Sequence, residues 1–218
     1  MVAVNVGPNR NSEDFISDYE TCINKIAKFS DLIVLNISSP NTPGLRELQD
    51  RRFVEKILDT AINTLEKINV SSPILIKIAP DLDTGEIESI VDAAIQGGAK
   101  GIIVGNTSVS RPPGLKSRYK NKQGGLSGQP IFTLATKALS DAFRVSRGRI
   151  VLVGTGGVFS GEDAYSKICA GANLVELYTA LVYQGPSLIK KINEDLVNFL
   201  DRDGYKNITE AVGTRVNL

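Results

Sequence analysis

Leu32-Ile33-Val34-Leu35-Asn36-Ile37-Ser38-Ser39-Pro40-Asn41-Thr42-Pro43-Gly44-Leu45-Arg46 is the stretch on which the fold turns. Its first four residues are apolar and read as a buried strand. Small polar side chains, two prolines and a glycine then arrive together. A strand that ends this way delivers hydroxyls and amides to one rim of a domain. Pro40 and Pro43 fix φ locally and each removes a donor, so an ordered loop is expected. Taken alone, the segment fits a plain Ser/Asn/Pro turn as well as an active-site loop.

The same pattern recurs outward from it. Apolar, β-branched runs lie at Val2–Val6, Leu32–Leu35, Ile74–Ile78, Gly101–Val104, Ile150–Val153 and Leu174–Tyr178. Each is nearly continuous in hydrophobicity, as expected of parallel strands covered on both faces. Helical stretches alternate with them at Ser12–Lys28, Arg51–Lys67, Thr84–Gln96, Ile131–Val145 and Gly161–Ala170, and a longer one at Ser187–Asp201 follows the last strand. Asp83 before Glu86 and Ser160 before Asp163 have capping-box spacing, and Asn207 before Glu210 marks a short final helix. Gly97, Gly98 and Gly171 are expected C-terminal stops.

Units of this kind build either an open doubly wound α/β sheet or a (β/α) barrel. Small or polar residues follow every strand: Asn5 and Gly7, Asn36 to Asn41, Lys77 to Asp81, Asn106 and Thr107, Gly154 to Gly157, Tyr178 and Thr179. In a barrel all of them converge on one mouth, whereas an open sheet gathers only the loops at its switch point. The expected fold is therefore α/β of the (β/α)8 TIM-barrel type, one domain over residues 1–218. A complete barrel has eight strands and about 250 residues. Six units are read here, and the two absent are expected to be the first two.

Composition removes several function classes. With 25 basic and 24 acidic residues, no polyanionic partner is implied. The absence of Trp and the even scatter of Lys and Arg argue against nucleic-acid binding. Cys22 and Cys169 lie far apart, each inside a predicted helix, and are expected to be buried free thiols. The chain has no histidine, which excludes Ser-His-Asp and Cys-His catalysis and His-ligated metals within it, and no metal site is expected. No signal peptide, transit sequence or membrane-length apolar run is expected.

Three further segments can carry chemistry. Gly154-Thr155-Gly156-Gly157 links a strand to a helix, and its freed amides beside a helix start make a phosphate seat, although a tight βα turn also accounts for it. Lys77 sits inside the apolar strand Ile74–Ile78. It can act as an amine base, hold an anion, or pair with a carboxylate on a neighbouring strand. An anion or cofactor is the preferred partner in a chain without histidine. Gln123–Pro130, glycine-rich and preceded by the basic segment Arg111–Lys122, reads as either a ligand-approaching turn with a lid or a mobile surface loop.

Together these segments resemble dihydroorotate dehydrogenase, specifically its class 2, quinone-linked branch. The resemblance rests on Val4–Gly7, Asn36–Arg46, Lys77–Asp81, Asn106-Thr107, Gly124–Gly128, Gly154–Gly157 and Tyr178-Thr179. It implies FMN across the barrel mouth and oxidation of dihydroorotate to orotate in pyrimidine biosynthesis. By motif, Ser39 is the implied base, at the position where class 1 relatives place Cys. A hydroxyl is a poor base that needs a proton outlet, and Thr42, three residues on, is the expected relay to solvent. Asn36, Asn41, Asn106 and Thr107 are the implied pyrimidine contacts. Asn5, Asn36, Lys77, Gly105, Gly128, Gly157, Tyr178 and Thr179 are the implied FMN contacts. Gly105 stands where relatives usually have Thr.

The resemblance also implies quinone as final acceptor and membrane association, both assigned to the family's N-terminal region, which this chain does not match. A complementing N-terminal fragment is accordingly a possible partner. The competing readings are a catalytically incompetent fragment or half of a split enzyme, and another FMN-barrel oxidoreductase acting on a dihydropyrimidine.

Overall fold

A computed structural model describes residues 1–42, 44–46 and 49–217. Six strands form one parallel sheet in strict chain order: β1 (Ala3–Val6), β2 (Leu32–Asn36), β3 (Ile74–Ile78), β4 (Gly101–Val104), β5 (Val151–Gly154) and β6 (Leu174–Val175). A doubly wound sheet would reverse its order at a switch point, and this one never does. The helices are α1 (Phe15–Ile26), α2 (Arg51–Lys67), α3 (Thr84–Gln96), α4 (Phe132–Ser146), α5 (Gly161–Cys169), α6 (Thr179–Gln184), α7 (Ser187–Asp203) and α8 (Ile208–Ala211). Along the outer surface α1 packs on α2, α2 on α3 and α3 on α4. The result is a curled partial TIM barrel, and β1 and β6 are its unpaired edges among the described residues.

The period of two along each strand divides the sheet into two chemistries. Ile33 and Leu35, Ile74, Ile76 and Ile78, Ile102 and Val104, and Leu152 face the helices and form the main core. Val34, Ile103 and Val153 face the barrel interior with Leu32 and Leu75 as a small second cluster. The register pairs Asn36 with Lys77 at the C-terminal ends of β2 and β3, so continuing the inward rows brings polar side chains to the rim. The fold therefore places chemistry at the mouth because the inward alternation changes from aliphatic to polar there.

Local signals set the helix starts. Asp14, Asp50 and Ser160 accept from the amides of Ser17, Phe53 and Asp163, and Asp83 with Glu86 forms a complete capping box. The Ser160 box is only half made, because the Asp163 carboxylate turns to the Phe159 amide at 2.9 Å. Asn207 caps α8 as its spacing predicts.

Two expectations need correction. The sixth strand ends at Val175, and Tyr178 precedes a helix instead of closing a strand. With β6 at the sheet edge, only two residues find a ladder partner, on β5. The second correction concerns Cys22, which is only half-buried, whereas Cys169 is buried. Helix α1 lies beside the edge strand β1 and packs on α2, which leaves Cys22 at the margin of the core.

Candidate active site

The rim is organised around Asn36 and Asn106, which the end of β2 and the segment after β4 bring together. Their link is Ser38, whose side chain is fully buried. The Ser38 hydroxyl donates to Asn36 Oδ1 at 2.8 Å and accepts from Asn106 Nδ2 at 2.8 Å. The Ser38 amide also donates to Asn36 Oδ1 at 3.2 Å, and the Thr107 amide to Asn106 Oδ1 at 2.8 Å. From behind, the Tyr19 hydroxyl donates to the Asn36 carbonyl at 2.7 Å. Both asparagine side chains are thus oriented before any ligand arrives.

Arg46, the last residue of the opening stretch, ties three strand ends together. Its guanidinium donates to the Ser38 carbonyl at 3.0 Å, to Asp81 Oδ2 at 2.8 Å and to the Thr107 carbonyl at 2.6 Å. Asp81 also accepts from Ser108, from Ser110 at 3.0 Å and from the Val109 amide at 3.3 Å. Burial pushes the Asp81 carboxyl up, but these donors outweigh it and hold it below the ordinary carboxylate range. Gln49 adds a fourth tie, its Oε1 accepting from the buried Ala79 amide at 3.0 Å.

Lys77 finds a partner in the barrel. Its Nζ lies 3.2 Å from Glu176 Oε2, across the mouth on the segment after β6. The carboxylate that Lys77 pairs with comes neither from an adjacent strand nor from within a strand, since β3 is flanked by β2 and β4 and β6 ends at Val175. Six parallel strands curl far enough to bring β3 and β6 within reach, which spacing along the chain does not reveal. Lys77, Glu176, Asn5, Asn36 and Asn106 line one interior hollow of about 260 Å³.

That hollow shares Lys77, Asn106 and Glu176 with a cleft of about 640 Å³. Thr107, Gly128, Gly157, Tyr178 and Thr179 also line the cleft, so most of the predicted ligand contacts converge there. Its floor is the turn after β5. Gly157 has φ +82°, and a Cβ on it would stand 2.6 Å from the Phe132 main chain, so glycine alone fits. Among the described residues, the amides of Gly156, Gly157 and Val158 have no acceptor, which leaves donors for an anion.

The remaining predicted residues stand outside these two spaces. Ser39, half-buried, accepts from the Asn41 amide at 3.3 Å, and Asn41 is exposed. Thr42 is half-buried in the same loop, and Pro43 falls outside the described residues. Gly105, with φ +124°, packs on Thr155, whose carbonyl would lie 2.8 Å from an added Cβ. Its amide donates to the Ile78 carbonyl at 3.2 Å, so Gly105 serves the sheet.

The long connection after β4 is held, not loose. Arg111 donates to the carbonyls of Lys120, Lys122 and Gly124 at 2.9, 2.8 and 2.8 Å. A bridge between Ser108 and Leu126 closes its base. Sequence reading missed Ser38, Glu176 and the bonding of Arg46 and Asp81. Arg46 and Asp81 lay in plain view at the ends of two quoted segments, but nothing local indicates that they meet. Among the described residues no cluster of metal-binding side chains occurs, and no helix is long and apolar enough to cross a membrane.

Comparison with known proteins gives this geometry a context. A dihydroorotate dehydrogenase from Azorhizobium caulinodans, named as quinone-linked, is 46% identical over 99% of this chain and 62% of its own length. A mitochondrial quinone-linked relative from Arabidopsis thaliana is 44% identical over 98% of the chain and 47% of its own length. The chain thus spans less than two thirds of these relatives. The crystal structure of ligand-free dihydroorotate dehydrogenase from Eimeria tenella superposes with TM-score 0.94 at 35% identity, over 99% of this chain and 64% of that one. The family model for dihydroorotate dehydrogenase matches residues 1–200. With barrel, mouth and motifs in agreement, the chain belongs to the dihydroorotate dehydrogenase family.

Proposed function

We propose that residues 1–218 form an FMN-binding part of a quinone-linked dihydroorotate dehydrogenase, which oxidises (S)-dihydroorotate to orotate in pyrimidine biosynthesis. The observation that carries the reading is the convergence of Lys77, Asn106, Thr107, Gly128, Gly157, Tyr178 and Thr179 on one cleft at the C-terminal ends of the strands.

The residues present fit FMN. Three amides without an internal acceptor, at Gly156, Gly157 and Val158, suit its phosphate. Gly128, Tyr178 and Thr179 line the same cleft, while Asn5, Asn36 and Lys77 line the adjoining hollow where the ring system would lie. Gly105 would contribute through its backbone. Bound FMN supplies the acceptor for the hydride that leaves C6 of the substrate.

The chain's own residues are assigned the other tasks. Asn36, Asn41, Asn106 and Thr107 hold the pyrimidine, and the Ser38 link fixes two of them in advance. Lys77 would set positive charge beside the ring system and so favour its taking up negative charge. Ser39 takes the proton from C5. A neutral hydroxyl is a weak base, so the proton needs an outlet, and Thr42, three residues on, is the proposed relay to solvent.

The opening between β1 and β6 supports a complementing polypeptide segment, since two further strands there would complete an eight-stranded barrel. The quinone site and the contact with a membrane are assigned to that segment. The relatives' names support quinone as the acceptor, and the mitochondrial one supports membrane association, without saying where either contact lies.

Reconstitution tests the cofactor assignment. Protein incubated with FMN and desalted should retain a yellow chromophore near one equivalent. Colourless protein that remains folded, with or without the complementing segment, would overturn the reading.

A further inference from the structure

Directly behind the Gly154–Gly157 turn lies Lys167, on α5 and fully buried. Its Nζ donates to the Thr155 carbonyl at 3.3 Å and sits 5.0 Å from the centre of the Phe132 ring at the start of α4. An ammonium group carries three donors, and among the described residues Thr155 is the one hydrogen-bond acceptor it reaches. Burial pushes its pKa down to about 7, against the pull of the Asp163 carboxylate one turn earlier in the same helix. Lysine is almost never fully buried unless paired, and a methionine would fill a comparable volume without that cost.

The peptide bond turns this contact into an orientation. In a trans peptide the C=O and the following N–H point in opposite directions, and the described chain has no cis bonds. Drawing the Thr155 carbonyl back toward Lys167 therefore aims the Gly156 amide forward, into the cleft that Thr155, Gly156 and Gly157 line. The cation also polarises that peptide, which strengthens its N–H as a donor.

We propose that Lys167 is a positioning residue and buried counter-charge for this turn, selecting a ligand that ends in a phosphomonoester over the same ligand without it. The inference rests on the FMN reading above and deepens it. It assigns the discrimination between FMN and riboflavin in part to a side chain that touches neither.

The test is titration of the protein with FMN and, separately, with riboflavin, followed by quenching of flavin fluorescence. Wild type should prefer FMN. K167M should weaken FMN binding about tenfold, the scale of one hydrogen bond to a charged group, and leave riboflavin binding unchanged. K167Q keeps a donor without the charge and should fall between; it also replaces K167M if that variant does not fold. Equal losses for both flavins would make Lys167 a merely structural residue and overturn the proposal. So would undiminished FMN preference in both variants. A wild type that binds the two flavins equally would instead remove the phosphate seat itself, and the proposal with it.

Discussion

Arg46 and Asp81 meet at 2.8 Å across 35 residues of sequence, and their pairing joins the catalytic-loop candidate to the loop after β3. Both side chains are largely buried, 18% and 15% exposed, so losing one strands the other in a poorly solvated place. R46Q should cost about 2–3 kcal/mol, the range for breaking a hydrogen-bonded pair that keeps some solvent. Urea unfolding checks this. An unchanged midpoint would show that the pair is dispensable.

The same carboxylate predicts a pH dependence. The Asp81 carboxyl lies below its ordinary value in the folded chain, so folding favours the ionised form. Its contribution is fully present above the unfolded value of about 3.9 and is lost as pH falls through the lower folded value. The stability difference between wild type and D81N should therefore be constant near neutrality and shrink below about pH 4. A difference that stays level down to pH 2.5 would contradict the assignment.

Ser38, fully buried between the two asparagines, offers a sharp probe of the rim. S38A leaves Asn36 and Asn106 without their shared partner and should cost about 1–2 kcal/mol in stability. Orotate affinity, read by perturbation of the flavin spectrum, should fall by more than stability alone explains. Unaltered orotate binding would mean that the link does not orient the pyrimidine contacts.

Glu176 limits what Lys77 can do. The carboxylate 3.2 Å away partly cancels the ammonium charge that faces the proposed flavin site. E176Q should raise the midpoint potential of bound FMN by about 20–30 mV, the equivalent of roughly 1 kcal/mol for a two-electron couple at a half-exposed site. A potential that is unchanged or lower would show that the two charges do not act on the ring.

Much of this fold is legible in the sequence. The strands β1 to β5 and the helices α2 and α3 follow from apolar runs and, for α3, from Asp83 as a cap, because those signals are local. The barrel followed from polar strand ends, since alternation makes the rim readable residue by residue. What escaped is of three kinds. Helix α6 is six residues long, too short to carry a period. The Lys77–Glu176 and Arg46–Asp81 pairs depend on curvature, which no single strand encodes. Lys167 is hidden because a lysine four residues from an aspartate on a helix reads as an exposed ion pair, yet the Asp163 side chain turns to Phe159 and leaves Lys167 to the core.

The proposed role of Ser39 as the base in dihydroorotate oxidation at this mouth can be tested directly. Its most direct measurement is anaerobic mixing of FMN-loaded protein, with the complementing segment if the barrel requires it, with dihydroorotate while following the flavin absorbance. Wild type should bleach and release orotate, and S39A should keep its flavin but bleach at least about a hundredfold more slowly, the contribution of a positioned general base. Bleaching in S39A at the wild-type rate would contradict the account.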